Sequence, residues 1–312
     1  MSGGTMVAAE RGFYEAAAER AGVRALAEEP LARHTTMRVG GPAQWFFLPD
    51  TPERAAQRWA ELRRGPLPVR ILGWGSNVIA VDAGIRAAVV CTDELRRDPE
   101  LLADHRVLAW AGVPVPGLAR WAATHGLAGL EFAEGIPAQL GGAVRMNAGA
   151  NRSSFAEIAE MALVAGDGGA VVERALGPAD FAYRESFASR ERLFVLGARL
   201  RLAPGDPAEI RARMTGYRDR RRATQPIQLP SAGCVFANYA DQSVGALVER
   251  LGLKGTRRGD AEVSTLHGNF IVNRGHASAA DVLGLLEEVR AALTAATGRA
   301  PRLEVEVWRD EP

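Results

Sequence analysis

A chain of 312 residues, 47% hydrophobic and 24% charged, is too long for one small core and reads as two or three globular subdomains. Its 38 Lys and Arg balance 37 Asp and Glu for a net charge of +1, which excludes general electrostatic attraction to nucleic acid or an anionic membrane and leaves any anionic ligand to local donors. Cys91 and Cys234 are too few for a disulfide framework, and no His or Cys spacing suits a metal, so no metal site is expected. Glu10, Arg11, Glu15, Glu19 and Arg20 interrupt the apolar positions that a secretory signal needs, and no stretch has the length of a membrane-spanning helix. Together these features point to a cytoplasmic protein without membrane insertion.

In chain order, Phe13–Ala27 reads as a surface helix in an N-terminal extension covering residues 1–32. Gln44–Leu48 reads as a strand, and Thr51 starts a helix reaching about Arg64, with Pro52 favourable in its first turn. Val69–Leu72, a turn at Gly73–Asn77, then 78–81 and 87–91 read as strand, turn, strand. Leu118–Thr124 reads as a helix closed by Gly126 and followed by a glycine-rich segment. Residues 161–165 and 170–172 flank Gly166-Asp167-Gly168-Gly169 as a hairpin, and Leu193–Leu202 is another strand. Pro207–Arg222 is helical and basic and marks a domain boundary. A turn-rich stretch (226–238) precedes a helix (Val244–Leu251), a strand (Asn269–Asn273), a helix (Ala279–Thr297) and a last strand (Leu303–Trp308). The class is α+β with mixed sheets.

Gly73-Trp74-Gly75-Ser76-Asn77 opens like a dinucleotide fingerprint, but Val78 stands at the third glycine and a strand follows where a helix is required. Two readings remain for it: an ordinary hairpin turn, or a turn whose N–H groups converge with Ser76 and Asn77 on a phosphate oxygen. In residues 135–150, apolar side chains alternate with glycines. Such a segment gives up side-chain packing, which is offset either by close packing of elements in a buried loop or by a flat ligand lying on exposed peptide groups.

These segments, with Thr36-Met37-Arg38-Val39-Gly40-Gly41-Pro42-Ala43, Gly129-Leu130-Glu131-Phe132, Tyr183-Arg184-Glu185-Ser186, Pro230-Ser231-Ala232-Gly233-Cys234-Val235-Phe236, His267-Gly268-Asn269-Phe270-Ile271-Val272-Asn273 and Glu306-Val307, resemble the UDP-N-acetylenolpyruvoylglucosamine reductase family in its shorter subtype, from about Arg33 to Trp308. The resemblance implies a two-subdomain FAD-binding fold of the vanillyl-alcohol-oxidase (PCMH) type at 33–205, divided at about 92, and a C-terminal α+β substrate-binding domain at 206–312. It implies non-covalent FAD and, as reductant, NADPH. By the same resemblance, flavin N5 is expected to pass hydride to the enolpyruvyl methylene carbon of UDP-N-acetylglucosamine enolpyruvate, giving UDP-N-acetylmuramate for peptidoglycan; a monomer is expected, though not as something the resemblance implies. The cofactor residues it implies are Arg38, Gly73, Gly75, Ser76, Asn77, Gly135, Ile136, Pro137, Gly141, Gly142, Ala143, Met146 and Asn147.

The same resemblance assigns Arg184 to the charge developing beside the substrate carboxylate, for which a planar guanidinium is suited. It sets Cys234 where the family carries a serine as proton donor; a thiol, with an ordinary pKa of about 8.5, is the stronger acid of the two. Glu306 matches the family's C-terminal glutamate, with Glu304 on the same face of the expected strand. Tyr183, Asn238, Lys254 and Asn269 fall at substrate positions, while most of Arg218, Arg220, Arg221 and Arg222 read as solvated helix face. Trp74 departs from a family glycine. Ala237 departs from a family lysine, whose charge Lys254 can replace. Two other functions compete: a sugar or alcohol oxidase of the same fold, with His34 or Cys91 as a flavin tether, and a nucleotide-sugar binding protein that has lost turnover.

Overall fold

Ala- and Glu-rich sequence forms a helix, Ala8–Arg20, that ends ahead of Gly22, whose φ of 58° lies in the left-handed region where glycine is at ease. The chain then enters the strand Arg24–Pro30, so the helix expected to reach Ala27 is cut short by strand pairing. Nor is it merely a surface element: Tyr14 and Ala17 are fully buried, and the Tyr14 hydroxyl accepts the Leu67 N–H at 2.8 Å. This computed structural model describes residues 8–310 apart from residue 21; residues 1–7 and 21 of the expected extension, and 311–312, lie outside the described residues.

The chain divides into two units. The first comprises the chain up to Glu28, with Gln44–Gly73 and Arg86–Tyr217. One of its sheets orders the strands Arg24–Pro30, Pro42–Leu48, Ile85–Cys91 and Val69–Leu72; another orders Val171–Ala175, Ala159–Ala165, Val195–Arg201, Arg106–Trp110 and Glu100–Leu101. The helix Pro52–Leu62 starts as its sequence requires, with the Thr51 side chain accepting the Arg54 N–H, and its buried Trp59 and Leu62 join the core of this unit. The expected hairpin forms, with Ala165 opposite Val171.

The second unit comprises Glu29–Ala43, Trp74–Ile85 and the chain from Arg218. Its four-stranded sheet runs Ser231–Cys234, Phe270–Asn273, Ala261–Val263, Arg257–Arg258. The helix Ala279–Thr297 contributes Val282, Leu285, Leu286, Val289 and Leu293 to the core there. Glu306–Trp308 pairs in parallel with Val78–Ala80. The boundary expected at 205/206 falls just ahead of the helix Pro207–Thr224, along which the chain passes from the first unit to the second. Mixed sheets carrying helices are the α+β class read from the pattern. Among the described residues no helix is long and apolar enough to cross a membrane.

Candidate active site

Val69–Leu72 pairs with Ile85–Cys91 and Val78–Ala80 with Glu306–Trp308, so the turn at 73–77 does not close a hairpin. Gly73 belongs to the first unit and Trp74–Asn77 to the second; the candidate residues accordingly form two clusters, one in each unit.

In the first unit the glycine-rich segment is fixed by side chains around it. Gln139, 1% exposed, takes the Thr92 hydroxyl proton on Oε1 at 2.7 Å and donates Nε2 to Asp93 at 2.8 Å. A Cβ on Gly73 would come within 3.0 Å of that Oε1. Gly135 is left-handed, at φ 83°. Ile136 is buried and Pro137 exposed, and both precede the short helix Leu140–Arg145. There Gly141 and Ala143 are buried, while Gly142 is exposed with nothing within 4 Å of the position a Cβ would take. One stretch of bare peptide is thereby presented outward from a well-packed base.

The same segment holds Arg184. Phe181–Ala182 pairs with Glu185–Ser186, leaving Tyr183 and Arg184 at the tip of a hairpin, with Arg184 at φ 58°. A left-handed non-glycine residue costs about 1–2 kcal/mol, so the surrounding contacts must hold the tip in place. Asn147, itself at φ 42°, donates Nδ2 to the Ala182 carbonyl at 2.9 Å and accepts the Ala156 N–H at 3.0 Å. The Ser186 hydroxyl donates to the Arg145 carbonyl at 2.8 Å. At the tip, Arg184 Nη1 donates to the Gly149 carbonyl at 3.2 Å and its guanidinium lies 5.4 Å from the centre of the 57%-exposed Tyr183 ring. Asn147 is therefore a pin for this hairpin, and Met146 beside it takes an Arg145 N–H on its sulfur. Glu131 is structural too: it accepts the Gly129 N–H and two bonds from Arg213.

In the second unit five of the motifs converge. Ser231 lies opposite Val272 and Cys234 opposite Phe270, so one extra residue bulges from this strand, with Gly233 at φ 77°. Such a bulge re-aims the side chain that follows it, here Cys234. Thr36 donates its hydroxyl to the Ser231 carbonyl at 2.6 Å, and Asn273 donates to the Met37 carbonyl at 3.1 Å. Gly233 stands 3.9 Å, measured from an ideal Cβ, from the Ser76 carbonyl. Asn77 accepts the Glu306 N–H at 2.8 Å and donates Nδ2 to the Glu304 carbonyl at 3.1 Å, while Glu304 N–H bonds to Val235. Gly75, buried at φ 59°, could bear no side chain, because a Cβ would lie 2.4 Å from the His34 carbonyl oxygen. Arg38 is exposed and left-handed at φ 59°. Glu306 is half-buried and its carboxylate accepts the Trp308 indole N–H at 3.4 Å.

The substrate candidates divide. Asn269 is 3% exposed, and its amide accepts the Phe236 N–H at 3.0 Å and donates to the Phe236 carbonyl at 2.7 Å; both ends bind the backbone just after Cys234, so it shapes that loop. Asn238 accepts the Val244 N–H at 3.0 Å, and Lys254 pairs with Glu249 at 2.7 Å. His267 was missed as a candidate, its family motif being the one signal for it. It accepts the Asn269 N–H on Nδ1 at 3.2 Å, and burial, then the charge of Lys254, push it below the usual histidine range. Arg218 and Arg221 differ from the solvated arginines expected: both are half-buried, and the Nε of each is buried without a hydrogen-bond partner among the described residues, whereas Arg220 and Arg222 are exposed. Of the proposed tethers, Cys91 is fully buried, with its thiol pushed far up by burial and then by Asp93, and His34 holds Glu29 at 3.0 Å. Among the described residues no group of His, Cys, Asp and Glu could hold a metal ion.

A model of the FAD binding domain matches residues 43–183, which makes this chain a FAD-binding protein of the oxidoreductase type. A second model, of the UDP-N-acetylenolpyruvoylglucosamine reductase C-terminal domain, matches residues 225–308. The UDP-N-acetylenolpyruvoylglucosamine reductase of Synechococcus sp. (strain RCC307) is 43% identical over 284 residues, 90% of this chain and 92% of that one. The enzyme of the same name from Moorella thermoacetica is 41% identical over 286 residues, 92% and 94% of the two chains. The crystal structure of UDP-N-acetylenolpyruvylglucosamine reductase from Thermus caldophilus superimposes with a TM-score of 0.77 at 38% identity, covering 92% of this chain and 99% of that one. The chain belongs to the UDP-N-acetylenolpyruvoylglucosamine reductase family. In the first unit the residues present fit FAD: the exposed peptide at Gly142, with nothing within 4 Å of the position of a Cβ, gives a flat group a place to lie.

Proposed function

We propose that this chain reduces the enolpyruvyl group of UDP-N-acetylglucosamine enolpyruvate to UDP-N-acetylmuramate, with NADPH as reductant, as a cytoplasmic monomer on the route to peptidoglycan. The observation that carries the reading is the placement of Cys234 on a bulge beside the Ser76–Asn77 turn, which in turn fixes the backbone of Glu304 and Glu306. FAD, when bound, accepts hydride from NADPH and supplies it to the methylene carbon of the substrate.

The residues of the chain supply what hydride transfer leaves undone. Negative charge builds on the carbon next to the carboxylate, and the guanidinium of Arg184, held in its strained turn by Asn147 and Ser186, is a fixed counter-charge for it. Cys234 gives its S–H proton to that carbon, which completes reduction of the double bond, and the thiolate recovers a proton from solvent. Glu306 orients the polar groups around the acid. Tyr183, Asn238 and Lys254 hold the nucleotide-sugar, while Arg38, Ser76 and Asn77 serve the cofactor phosphates.

The test is an anaerobic stopped-flow experiment: bleach the flavin with NADPH, then add UDP-N-acetylglucosamine enolpyruvate. Rapid reoxidation with that substrate is expected, and Cys234→Ala should keep the first step and lose the second. Reoxidation by oxygen or another acceptor alone would replace this reading with an oxidase.

A further inference from the structure

The imidazole of His267 is confined by its neighbours. Its ring lies 4.9 Å from that of Phe270, edge to face, and a Cβ on the buried Gly245 of the helix Val244–Arg250 would come within 3.2 Å of its Cε1. Gly268, next in the chain, packs so closely on that helix that a Cβ there would stand 2.6 Å from the Gly245 carbonyl oxygen. Held in this way, Nδ1 of the ring faces the Asn269 N–H at 3.2 Å. A backbone N–H can only donate, so Nδ1 must offer its lone pair, and the proton of the neutral ring sits on Nε2. Asn269 passes the constraint on. Its side chain bonds the N–H and the carbonyl of Phe236, and its own carbonyl accepts the Val235 N–H at 2.9 Å. Both residues that follow Cys234 are therefore tied to the residue whose N–H the imidazole holds. A proton added to Nδ1 would set N–H against N–H and end that bond.

We propose that His267 is a positioning residue for the proton donor: the neutral imidazole, with its proton on Nε2, holds Asn269 and through it the loop after Cys234, and reduction of the substrate fails as the ring takes up a second proton. The proposal rests on the reading of Cys234 as proton donor. Among the elements around the ring, the helix Val244–Arg250 carries Glu249 and Arg250; Glu249 pairs with Lys254 at 2.7 Å, and Arg250 donates to Gln242 at 3.4 Å. The strand Phe270–Asn273 carries no charged group, and neither do residues 264–268 apart from the histidine itself. Burial of the ring, then the charge of Lys254, hold it below the usual histidine range. The neutral form is therefore the one present at pH 7, and its loss belongs to acid pH.

The test is a pH series of both half-reactions of the flavin-loaded protein: flavin reduction by NADPH, and reoxidation by UDP-N-acetylglucosamine enolpyruvate. Reoxidation should fall about tenfold or more across a one-proton limb whose midpoint lies below about pH 6.5, and flavin reduction should not share that limb. His267→Leu, which has no acceptor for the Asn269 N–H, should reoxidise about tenfold more slowly at every pH, without a limb. His267→Asn offers a carboxamide oxygen to the N–H two residues on, as in an Asx-turn, and that oxygen does not titrate; it should restore most of the rate and leave no limb. In protein carrying isotope-labelled histidine, the ring signals that vanish in His267→Asn should be those of the Nε2–H tautomer. An Nδ1–H tautomer, or a limb that survives in His267→Asn, overturns the positioning role and leaves the reading of Cys234 standing. A limb with the same midpoint in both half-reactions marks general acid unfolding and overturns the role too. If Cys234→Ala reoxidises at the wild-type rate, the proton-donor reading itself fails, and with it anything for His267 to position.

Discussion

Asn269→Ala separates two roles for a residue that the motif alone assigned to the substrate. Its amide bonds both the N–H and the carbonyl of Phe236, at 3.0 and 2.7 Å, and Phe236 is 2% exposed. Truncation strands two buried backbone groups, each at about 1–3 kcal/mol, so the loss of stability should be about 2–6 kcal/mol. The Asn269 carbonyl also accepts the Val235 N–H at 2.9 Å, a bond that survives the change, so the loop should loosen at Phe236 without detaching. Cys234, two residues earlier, then loses its fixed aim, and substrate-dependent reoxidation should slow much more than flavin reduction by NADPH. Urea unfolding followed by circular dichroism, together with the two stopped-flow half-reactions, measures both effects. Asn269→Asp keeps the acceptor for Phe236 N–H but sets a carboxylate against the Phe236 carbonyl, and should be no better than alanine. An unchanged urea midpoint with a raised KM would show that Asn269 binds substrate and that its role in the loop is minor.

Arg184→Gln should slow substrate reduction by about 100- to 1,000-fold, the usual result of removing one transition-state donor, while NADPH bleaches the flavin at its normal rate; equal slowing of both steps would exclude a role confined to the substrate. Gly142→Val should fold, because nothing lies within 4 Å of the added Cβ, yet lose flavin, read as the ratio of visible to ultraviolet absorbance; full flavin content would place the cofactor away from this face. Gly75→Ala should instead lower stability, since its Cβ meets the His34 carbonyl at 2.4 Å and its φ is 59°, as thermal unfolding of the apoprotein would report. His267 has a folded-state value below its unfolded one, through burial and then Lys254. Its contribution is therefore present above about pH 6.5, the unfolded value, and is lost as pH falls through the folded value. His267→Gln should flatten the fall in urea midpoint between about pH 7 and pH 5, and an identical slope would exclude this residue as its source.

The elements legible in the sequence are those that short-range physics decides. Thr51 and Pro52 start a helix because the cap and the first turn are local, and Ala279–Thr297 is bounded by Ser278 and Gly298, each satisfying the helix end beside it. What was not legible depends on partners distant in sequence. Ser231–Cys234 follows Pro230, consists of Ser, Ala, Gly and Cys with a bulge among them, and has no alternation to reveal it; it is a strand because Phe270–Asn273 lies beside it. Residues 73–77 read equally well as a hairpin until Val78–Ala80 is seen to pair with a strand near the C-terminus.

The same distinction explains why residue roles were harder to read than residue identities. The motifs Thr36–Met37, Ser76–Asn77, Ser231–Cys234, Asn269–Asn273 and Glu304–Glu306 are joined by hydrogen bonds or close approach in one unit, so similarity to the family marks all of them alike. Only the bonds divide them: Asn77, Asn147, Asn269 and Asn273 direct their amides at backbone and fix the frame, while Cys234 and Arg184 stand where a bulge and a left-handed turn set the backbone that carries them. Strain stored at Arg184 has to be held by contacts elsewhere, and Asn147, which donates and accepts at once, supplies them. The side chains that build the frame are therefore marked as strongly as those that perform the chemistry, and a substitution in the frame should reveal itself first in stability and only then in rate.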